Sequence, residues 1–342
     1  MKQIVGVFIK DSHLTEDTID QNKSIYQQAL NLCIEHKCPL FNAGDIFTER
    51  KSQPLVLLNA FEDILESYQY AGTHIHLIPG NHDKVDQEDE RSYINAFKNY
   101  PNLHLYQRET SLEFANNVVV HFIPYFKENG SYLQRLESLK RIEGKFNLCL
   151  THIAVESVRN NDGTLVQNQI KKELFEKFDL TMVGHYHDES WIGDKIWYFP
   201  GCKQKNFGEN NRKGFVLLYN DGSYDFIKSQ FQEYIQVKLD ILDIEGIKKA
   251  QEKYQYSTEK VKFVFKGDKA ELMHVDKAKF ESLGINVDFE KDSAVPLNAD
   301  DLVQKANHLS FNRGNIFEAF DTFCETKHIE DNSIGKTYLE KI

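Results

Sequence analysis

The chain has 342 residues, a length that fits two domains or one large domain with an appendage. Hydrophobic residues make up 41% and charged residues 27%, which is typical of a globular protein with a packed core. The formal net charge of −11 excludes a surface that attracts nucleic acid as a whole, so any DNA or RNA contact must come from local basic patches and bound cations.

The cysteines and the apolar runs indicate the compartment. The five cysteines are an odd number without a C-x-x-C pair, which argues against a disulfide framework and a structural zinc site: Cys33, Cys38, Cys149, Cys202 and Cys324. The N-terminal apolar run, residues 4–9, ends at Lys10 and is too short for a signal peptide or a membrane span, and no other run approaches the needed length. We therefore expect a soluble cytoplasmic protein.

The first part of the chain alternates between apolar runs and amphipathic segments. The pattern predicts strands at residues 4–9, 40–41 and 75–78, and helices at residues 20–37 and 54–68. A βαβαβ order implies a largely parallel sheet with helices on its faces.

The pattern of the middle part is less regular. It predicts short helices at residues 90–99 and 170–178, and strands at residues 103–106, 118–123, 146–150 and 180–183. Three further runs are predicted to be closing antiparallel strands: residues 196–199, 215–219 and 224–227.

Near Tyr234 the composition changes, which divides the chain into three predicted parts: residues 1–234, a small α+β domain at 235–291, and a linker with C-terminal helices at 292–342. The α+β domain is predicted from strands at 235–242, 261–265 and 285–289, with helices ending near 254 and covering 277–283. The last part has a proline-bearing linker at 292–297 and helical patterns at 299–309 and 316–326.

Polar side chains follow five of the predicted strands, at the carboxyl end of each. They are Asp11 and His13, Asp45, Asn81 and His82, His152, and His185 and His187. Each group alone has a plain explanation as a turn, a helix cap or a satisfied histidine. Because functional sites of open α/β sheets are built at the carboxyl ends of the strands, the repetition favours one shared site.

The residue types of this set predict metal chemistry. Carboxylates, an amide oxygen and imidazoles without thiolates suit manganese, iron or catalytic zinc. The donors suffice for two ions with one bridging carboxylate. Such a pair binds phosphate oxygens and activates a water, and one histidine would remain to protonate the leaving oxygen.

The motifs resemble, in order, the five motifs of the calcineurin-like metallophosphoesterase superfamily: Asp11-x-His13, Gly44-Asp45, Gly80-Asn81-His82-Asp83, Thr151-His152 and Gly184-His185-x-His187. Within this superfamily, three segments are similar to the nuclease subunit of SbcCD-type repair nucleases: Gly44-Asp45-Ile46-Phe47, Phe122-Ile123-Pro124-Tyr125 and residues 199–215. The compact length of the chain resembles the bacteriophage version. The resemblance implies an α/β metallophosphoesterase sheet sandwich with a small α+β cap domain and C-terminal helices.

The resemblance also implies a role for each motif residue. One metal would be held by Asp11, His13, Asp45 and His187, and the second by Asp45 as a bridge with Asn81, His152 and His185. The ions would be Mn²⁺, with Fe²⁺, Mg²⁺ and Zn²⁺ as alternatives. The catalytic residues would be His82 as proton donor and Asp83, which would orient it. Three positions depart from the family pattern: Lys10 replaces a small residue, Thr48 a histidine or aspartate, and Cys202 a serine.

A basic cluster follows the last histidine motif: Lys203, Lys205, Arg212 and Lys213. Near a metal site it predicts contact with the phosphate backbone of DNA, and the alternative is a solvated loop. The segment Gly335-Lys336-Thr337 lacks the upstream glycine of a phosphate-binding loop, since Glu330 stands there, so no nucleotide site is predicted.

The function implied by the resemblance is a dimetal DNA phosphodiesterase, the exonuclease and endonuclease subunit of a repair or recombination system, in a bacterial or phage-infected cytoplasm. The expected partners are DNA, an SbcC-type ATPase bound through the C-terminal helices, and a second copy of the chain bound through helices 54–68 and 90–99. The alternatives are a phosphomonoesterase or cyclic-nucleotide phosphodiesterase of the same superfamily, and a non-catalytic scaffold. Fold alone does not decide among them.

Overall fold

The computed structural model describes residues 2–114, 117–159 and 164–291. The predicted linker and C-terminal helices, residues 292–342, lie outside this part, so their role in partner binding stays a prediction. The strands are β1 (Ile4–Ile9), β2 (Leu40–Asn42), β3 (Ile75–Leu77), β4 (Leu103–Leu105), β5 (Thr110–Phe114), β6 (Val118–Ile123), β7 (Phe146–His152), β8 (Leu180–Gly184), β9 (Ser190–Ile192), β10 (Ile196–Tyr198), β11 (Gly214–Tyr219), β12 (Tyr224–Lys228), β13 (Tyr234–Asp240), β14 (Lys260–Gly267) and β15 (Ile285–Lys291).

The α-helices of the described ranges are α1 (Ile19–His36), α2 (Leu55–Tyr70), α3 (Tyr132–Ser138), α4 (Ile244–Tyr254), α5 (Lys269–Leu272) and α6 (Lys277–Glu281). Short 3₁₀ helices lie at Glu16–Thr18, Tyr93–Phe97 and Lys172–Phe175. None of these helices combines the length and the apolar character that crossing a membrane requires. The predicted cytoplasmic location stays a prediction.

Two six-stranded sheets and one three-stranded sheet are formed by these strands. The first has the order β12-β11-β1-β2-β3-β4, the second β5-β6-β7-β8-β10-β9, and the small sheet β13-β14-β15. The strands β1 to β4 run parallel, as do β6, β7, β8 and β10, while β11, β12, β5 and β9 pair antiparallel at the edges. This confirms the predicted α/β sheet sandwich.

The apolar runs read from the sequence are buried because both of their faces are covered. In β1, Val7 and Ile9 pack into a core with α1 and α2, whereas Phe8 points to the opposite face and joins the core between the two sheets. Phe8 stacks on Phe41 of β2 at 4.5 Å between ring centroids, and Phe41 in turn stacks on Phe122 of β6 at 6.2 Å. Contacts of this kind join the two sheets face to face.

Several predicted elements differ from the structure in type or in pairing. The helix expected at residues 90–99 is only the 3₁₀ helix Tyr93–Phe97, and that expected at 170–178 is only Lys172–Phe175. Strand β10 was expected to be antiparallel, but it pairs parallel with β8 and antiparallel only with β9. The edge strands β5 and β9 and the helices α3 and α5 were not predicted.

The described residues form two compact units. The first takes in residues 2–239, 243–264 and 276–288, apart from the undescribed gaps, and contains both six-stranded sheets. The second takes in residues 240–242, 265–275 and 289–291. The predicted domain boundaries at residues 234 and 291 stay predictions.

Candidate metal centre

The carboxyl ends of five strands from the two large sheets meet in one cluster of polar side chains. Strands β1, β2 and β3 belong to the first sheet, and β7 and β8 to the second. A side-chain nitrogen or oxygen of each predicted ligand lies within 3.9 Å of one from another ligand. The seven residues brought together are Asp11, His13, Asp45, Asn81, His152, His185 and His187.

The backbone of these ligands is bent sharply where each strand ends. Asp11, His13, Asp45 and His185 all have positive φ angles, of 53°, 44°, 56° and 96°. The left-handed conformation is uncommon for residues with a Cβ and costs about 1–3 kcal/mol each. Backbone hydrogen bonds hold the turns, since the N–H of Asp11 donates to Gly44 O and that of His13 to Asp45 O, both at 3.0 Å. The turns therefore direct the side chains to one point.

One group of ligand atoms is formed by Asp11, His13 and His187, whose ligand atoms lie within 4.8 Å of one another. The Nε2 atoms of His13 and His187 face each other at 3.0 Å. The second ring nitrogen of His13, Nδ1, is buried and has no hydrogen-bond partner among the described residues. The same holds for Asp11 Oδ2, although the Lys10 ammonium is 3.3 Å from that oxygen.

A second group is formed by Asn81, His152 and His185. Asn81 Oδ1 lies 3.0 Å from His152 Nε2 and 3.0 Å from His185 Nδ1. The other ring nitrogen of His152, Nδ1, is 2.7 Å from Ala43 O, so Nε2 is the nitrogen that faces the cluster. Such a backbone bond fixes the tautomer and the orientation of a metal-binding imidazole.

Asp45 lies between the two groups. Its Oδ2 is 3.3 Å from His152 Nε2 and 3.6 Å from His13 Nε2, while its Oδ1 accepts the backbone N–H of His82 at 2.8 Å. Because one carboxylate oxygen faces a member of each group, Asp45 is the residue that is placed to bridge two ions.

The charges of this buried cluster favour bound cations. Burial alone would raise the pKa of Asp11 and of Asp45, but nearby positive charge outweighs burial and holds both pKa values below the usual range. Burial alone would lower the pKa of His152, but the carboxylates of Asp45 and Asp11 raise it to about 9. Two fully buried carboxylates thus draw positive charge into the cluster.

The donor set fits divalent metal ions. Bound cations would satisfy three features of this cluster, because each atom would then become a ligand. These features are the facing imidazole nitrogens, the amide oxygen that faces two imidazoles, and the buried polar atoms that have no partner among the described residues. Oxygen and nitrogen donors without a thiolate suit Mn²⁺, Fe²⁺ or catalytic Zn²⁺. Asp11, His13 and His187 would hold one ion, Asn81, His152 and His185 the other, and Asp45 both.

His82 lies beside the cluster, with one ring nitrogen at a backbone carbonyl and the other at an arginine. A ligand atom of His82 lies within 4.8 Å of atoms of His13 and Asp45. Its Nδ1 contacts the carbonyl of Thr48, and its Nε2 lies 3.4 Å from a guanidinium nitrogen of Arg50. A carbonyl can only accept, so Nδ1 carries a proton and Nε2 is the nitrogen that gains and loses one.

Asp83 has a different task from the one predicted for it. Its buried carboxylate accepts the backbone N–H groups of Gly80 (2.8 Å), Asp45 (2.9 Å), Ile46 (2.9 Å) and Phe47 (3.1 Å). Within the described ranges, the ring of His82 is oriented by Thr48, so the expectation that Asp83 orients it is wrong. Asp83 instead fixes the loop after β2 against the loop after β3.

Glu209 is a site residue that the sequence analysis missed. Its Oε1 lies 2.7 Å from His187 Nδ1, and its Oε2 accepts from the Lys213 ammonium at 3.1 Å. Burial would raise the pKa of Glu209, but His187 and Lys213 outweigh burial and lower it. A carboxylate on the far nitrogen orients a metal-binding histidine. The resemblance marked this segment, but no spacing rule links Glu209 to His187.

Most residues of the predicted basic cluster are buried or paired with other groups of the protein. The Lys213 ammonium is fully buried and donates to His187 O at 2.8 Å and to Asp188 at 2.5 Å. Lys203 is also buried, and the Arg212 guanidinium pairs with Glu189 at 2.5 Å. The prediction of DNA contact is therefore wrong for Lys203 and Lys213, because both side chains are buried.

Lys205 remains the candidate of this cluster for a phosphate contact. It is half-buried, and its positive charge adds to burial in lowering the pKa of His13 and of His82, which places the ammonium on the side of the metal centre. Arg212 is about half exposed and stacks on Phe226 at 4.2 Å in addition to its ion pair.

The three departures from the family pattern all lie close to the site without disturbing its ligands. Lys10 is fully buried behind Asp11, where its ammonium contacts Tyr186 O. Thr48 contributes its backbone carbonyl to His82, while its hydroxyl is buried without a partner. Cys202 is fully buried, and its carbonyl accepts from the Ser229 hydroxyl at 2.5 Å. None of the three displaces a ligand.

Comparison with known proteins agrees with this geometry. A model of the family described as calcineurin-like phosphoesterase matches residues 11–189, just over half of the 342 residues and the range that holds all seven ligands. The chain is also similar to "Exonuclease subunit 1" of Enterobacteria phage T4, with 23% identity over 177 residues, 51% of this chain and 51% of that protein. The match thus spans about half the length of this relative.

Proposed function

Because this chain belongs to the calcineurin-like phosphoesterase family, we propose that it is a DNA phosphodiesterase that works with two Mn²⁺ ions. The observation that carries the proposal is the position of Asp45, whose carboxylate lies between two groups of ligands with His82 beside them. The similarity to a phage protein named as an exonuclease subunit supports DNA as the substrate class.

The metal ions, when bound, would neutralise the phosphate and lower the pKa of a water. The other contributions come from the chain. The Thr48 carbonyl holds the Nδ1–H of His82, so Nε2 of the protonated ring can donate to the leaving oxygen, a step that contributes about 10²–10⁴-fold. Asp83 and Glu209 act on the position of the ligands, through the loop that carries Asp45 and through His187.

The test compares substrates with and without Mn²⁺. The purified protein is incubated with linear double-stranded DNA, a short single strand, p-nitrophenyl phosphate and a cyclic nucleotide, with EDTA and Asp45→Asn as controls. We expect metal-dependent release of nucleotides or short fragments from DNA and little hydrolysis of the monoester. Hydrolysis of the monoester or the cyclic nucleotide alone would refute the DNA assignment, and inactivity on every substrate despite bound metal would indicate a scaffold.

We further propose that the chain acts as an exonuclease and endonuclease subunit in DNA repair or recombination, together with an SbcC-type ATPase that the C-terminal residues bind. The first compact unit carries the whole metal centre. A chain truncated before Asn298 should therefore keep metal binding and the cleavage of short DNA, while binding of the ATPase and stimulation by ATP are lost. A truncated chain that still binds the ATPase would contradict this proposal.

A further inference from the structure

Arg50 lies at the proton-donating side of His82. A guanidinium nitrogen of Arg50 is 3.4 Å from His82 Nε2, and Arg50 is exposed. Within the described ranges, no carboxylate forms an ion pair with Arg50, and His82 is the one side chain in hydrogen-bond contact with its guanidinium. Most other cations near the centre are paired, as the buried Lys213 is with Asp188 and Glu209. Arg50 thus presents a charged fork to solvent beside the reacting groups.

The backbone of Arg50 is fixed to the metal centre. The Tyr93 hydroxyl donates to Arg50 O at 2.9 Å, and the Tyr93 backbone N–H donates to Asp83 O at 2.9 Å. The ring of Tyr93 packs edge-on against Phe47, at 6.2 Å between centroids. Tyr93 therefore connects the segment that carries Arg50 to the loop that carries His82.

The chemistry of a diester suggests what the guanidinium binds. When a phosphodiester is cleaved, the leaving oxygen belongs to a sugar, and in a nucleic-acid strand that sugar carries the neighbouring phosphate. A leaving oxygen at His82 Nε2 brings this neighbouring phosphate to the side on which Arg50 lies. An arginine fork binds phosphate oxygens through two parallel N–H bonds.

We propose that Arg50 binds the phosphate next to the scissile one, on the leaving side, and so gives the centre a preference for nucleic-acid strands over small phosphate esters. The inference rests on the proposed DNA function and deepens it.

The test compares wild type, Arg50→Ala, Arg50→Lys and Lys51→Ala with Mn²⁺ on a short oligonucleotide and on bis(p-nitrophenyl) phosphate. The second substrate is a diester with a single phosphate. Lys51 is the matched control, because it is the next residue, is exposed and carries the same charge. Bound metal is measured for every variant.

We expect Arg50→Ala to lower kcat/KM on the oligonucleotide by about 10- to 100-fold more than on the small diester, with unchanged metal content. Arg50→Lys should keep part of the activity, because a lysine supplies the charge without the fork. The slope of log Kd for the strand against log salt should fall by about 0.7 for Arg50→Ala. Lys51→Ala should stay within about twofold of wild type on both substrates.

Three results would overturn the inference: equal losses on both substrates, since Arg50 would then act through His82 or the metals; wild-type cleavage of the oligonucleotide by Arg50→Ala; or the same loss in Lys51→Ala. Failure of the proposed function is a separate result. A wild-type protein that hydrolyses the small diester and leaves DNA intact would refute the DNA assignment before any variant is compared.

Discussion

Gly80 allows the two loops of the metal centre to approach each other, and Gly80→Ala should disable the centre without unfolding the protein. A Cβ at Gly80 would lie 2.2 Å from Asp45 Oδ1 and 2.5 Å from Asp45 N. An ordinary contact needs about 3.4 Å or more, so the bridging carboxylate must move by about 1 Å, and a shift of that size costs about 10²-fold in rate. The crowding itself should cost about 1–3 kcal/mol of stability.

Gly72→Ala is the matched control for this prediction. Gly72 has a φ of +65° and nothing within 4 Å of an added Cβ, so alanine there is strained by its backbone alone, at about 1–2 kcal/mol. Both variants should lose similar stability in thermal or urea unfolding. Only Gly80→Ala should lose bound metal and hydrolysis of bis(p-nitrophenyl) phosphate. Full metal content and wild-type turnover in Gly80→Ala would refute the reasoning.

Three further predictions concern the ligands, their support and self-association. Asp45→Asn should reduce the number of bound metal ions as well as activity, whereas His82→Ala should keep both ions and lower turnover by about 10²–10⁴-fold. Mass spectrometry would count the metal ions, and steady-state rates would give the turnover. A wild-type metal count in Asp45→Asn would contradict the bridging role of Asp45. Glu209→Gln should weaken metal affinity by about 10–100-fold in a chelator competition with little change in melting temperature, and unchanged affinity would remove the orienting role. If α2 forms the proposed homodimer, Leu55→Asp with Val56→Asp should yield a monomer in light scattering across a concentration series, since these side chains are 70% and 46% exposed, and a wild-type chain that is monomeric at high concentration would exclude the dimer.

The dimer surface shows how tertiary packing limits a sequence-based prediction. Apolar residues of α2 and of the segment after it were expected to share an interface. In the structure, Ile94 and Phe97 are buried in the core with α1 and α2, and Leu58 packs against this core. The exposed large apolar side chains of α2 are Leu55, Val56 and Tyr70. An apolar stripe predicts that a face is covered, but the pattern does not say whether the same chain covers it.

The ligands could be predicted because their signal is local. Each apolar run ends in a donor residue, and the carboxyl ends of strands are where such residues collect. Periodicity could not predict that the five ligand-bearing strands belong to two different sheets. Strands β1 and β7 both have the pattern of a buried strand, and contacts between the sheet faces decide their partners.

The roles of Asp83, Lys213 and Arg50 could not be predicted because each depends on at least one partner that is distant in the sequence. Asp83 was expected to orient His82, yet three of the four N–H groups that its carboxylate accepts are 36–38 residues away. Lys213 was assigned to DNA as a charged loop residue, but carboxylates close around it. Charge can be read from composition, while the burial of a charge requires the fold.

The left-handed turns at Asp11, His13, Asp45 and His185 place the ligands of the site but lower the stability of the fold. At each of these positions the chain keeps a side chain with a Cβ in a backbone conformation that glycine would adopt without strain, at a cost of about 1–3 kcal/mol each. Stabilising substitutions should therefore be sought in parts of the fold that do not carry this strain, because the ligands cannot be replaced without loss of the site. This trade-off makes the ligand turns the positions to hold fixed in any attempt to stabilise the chain.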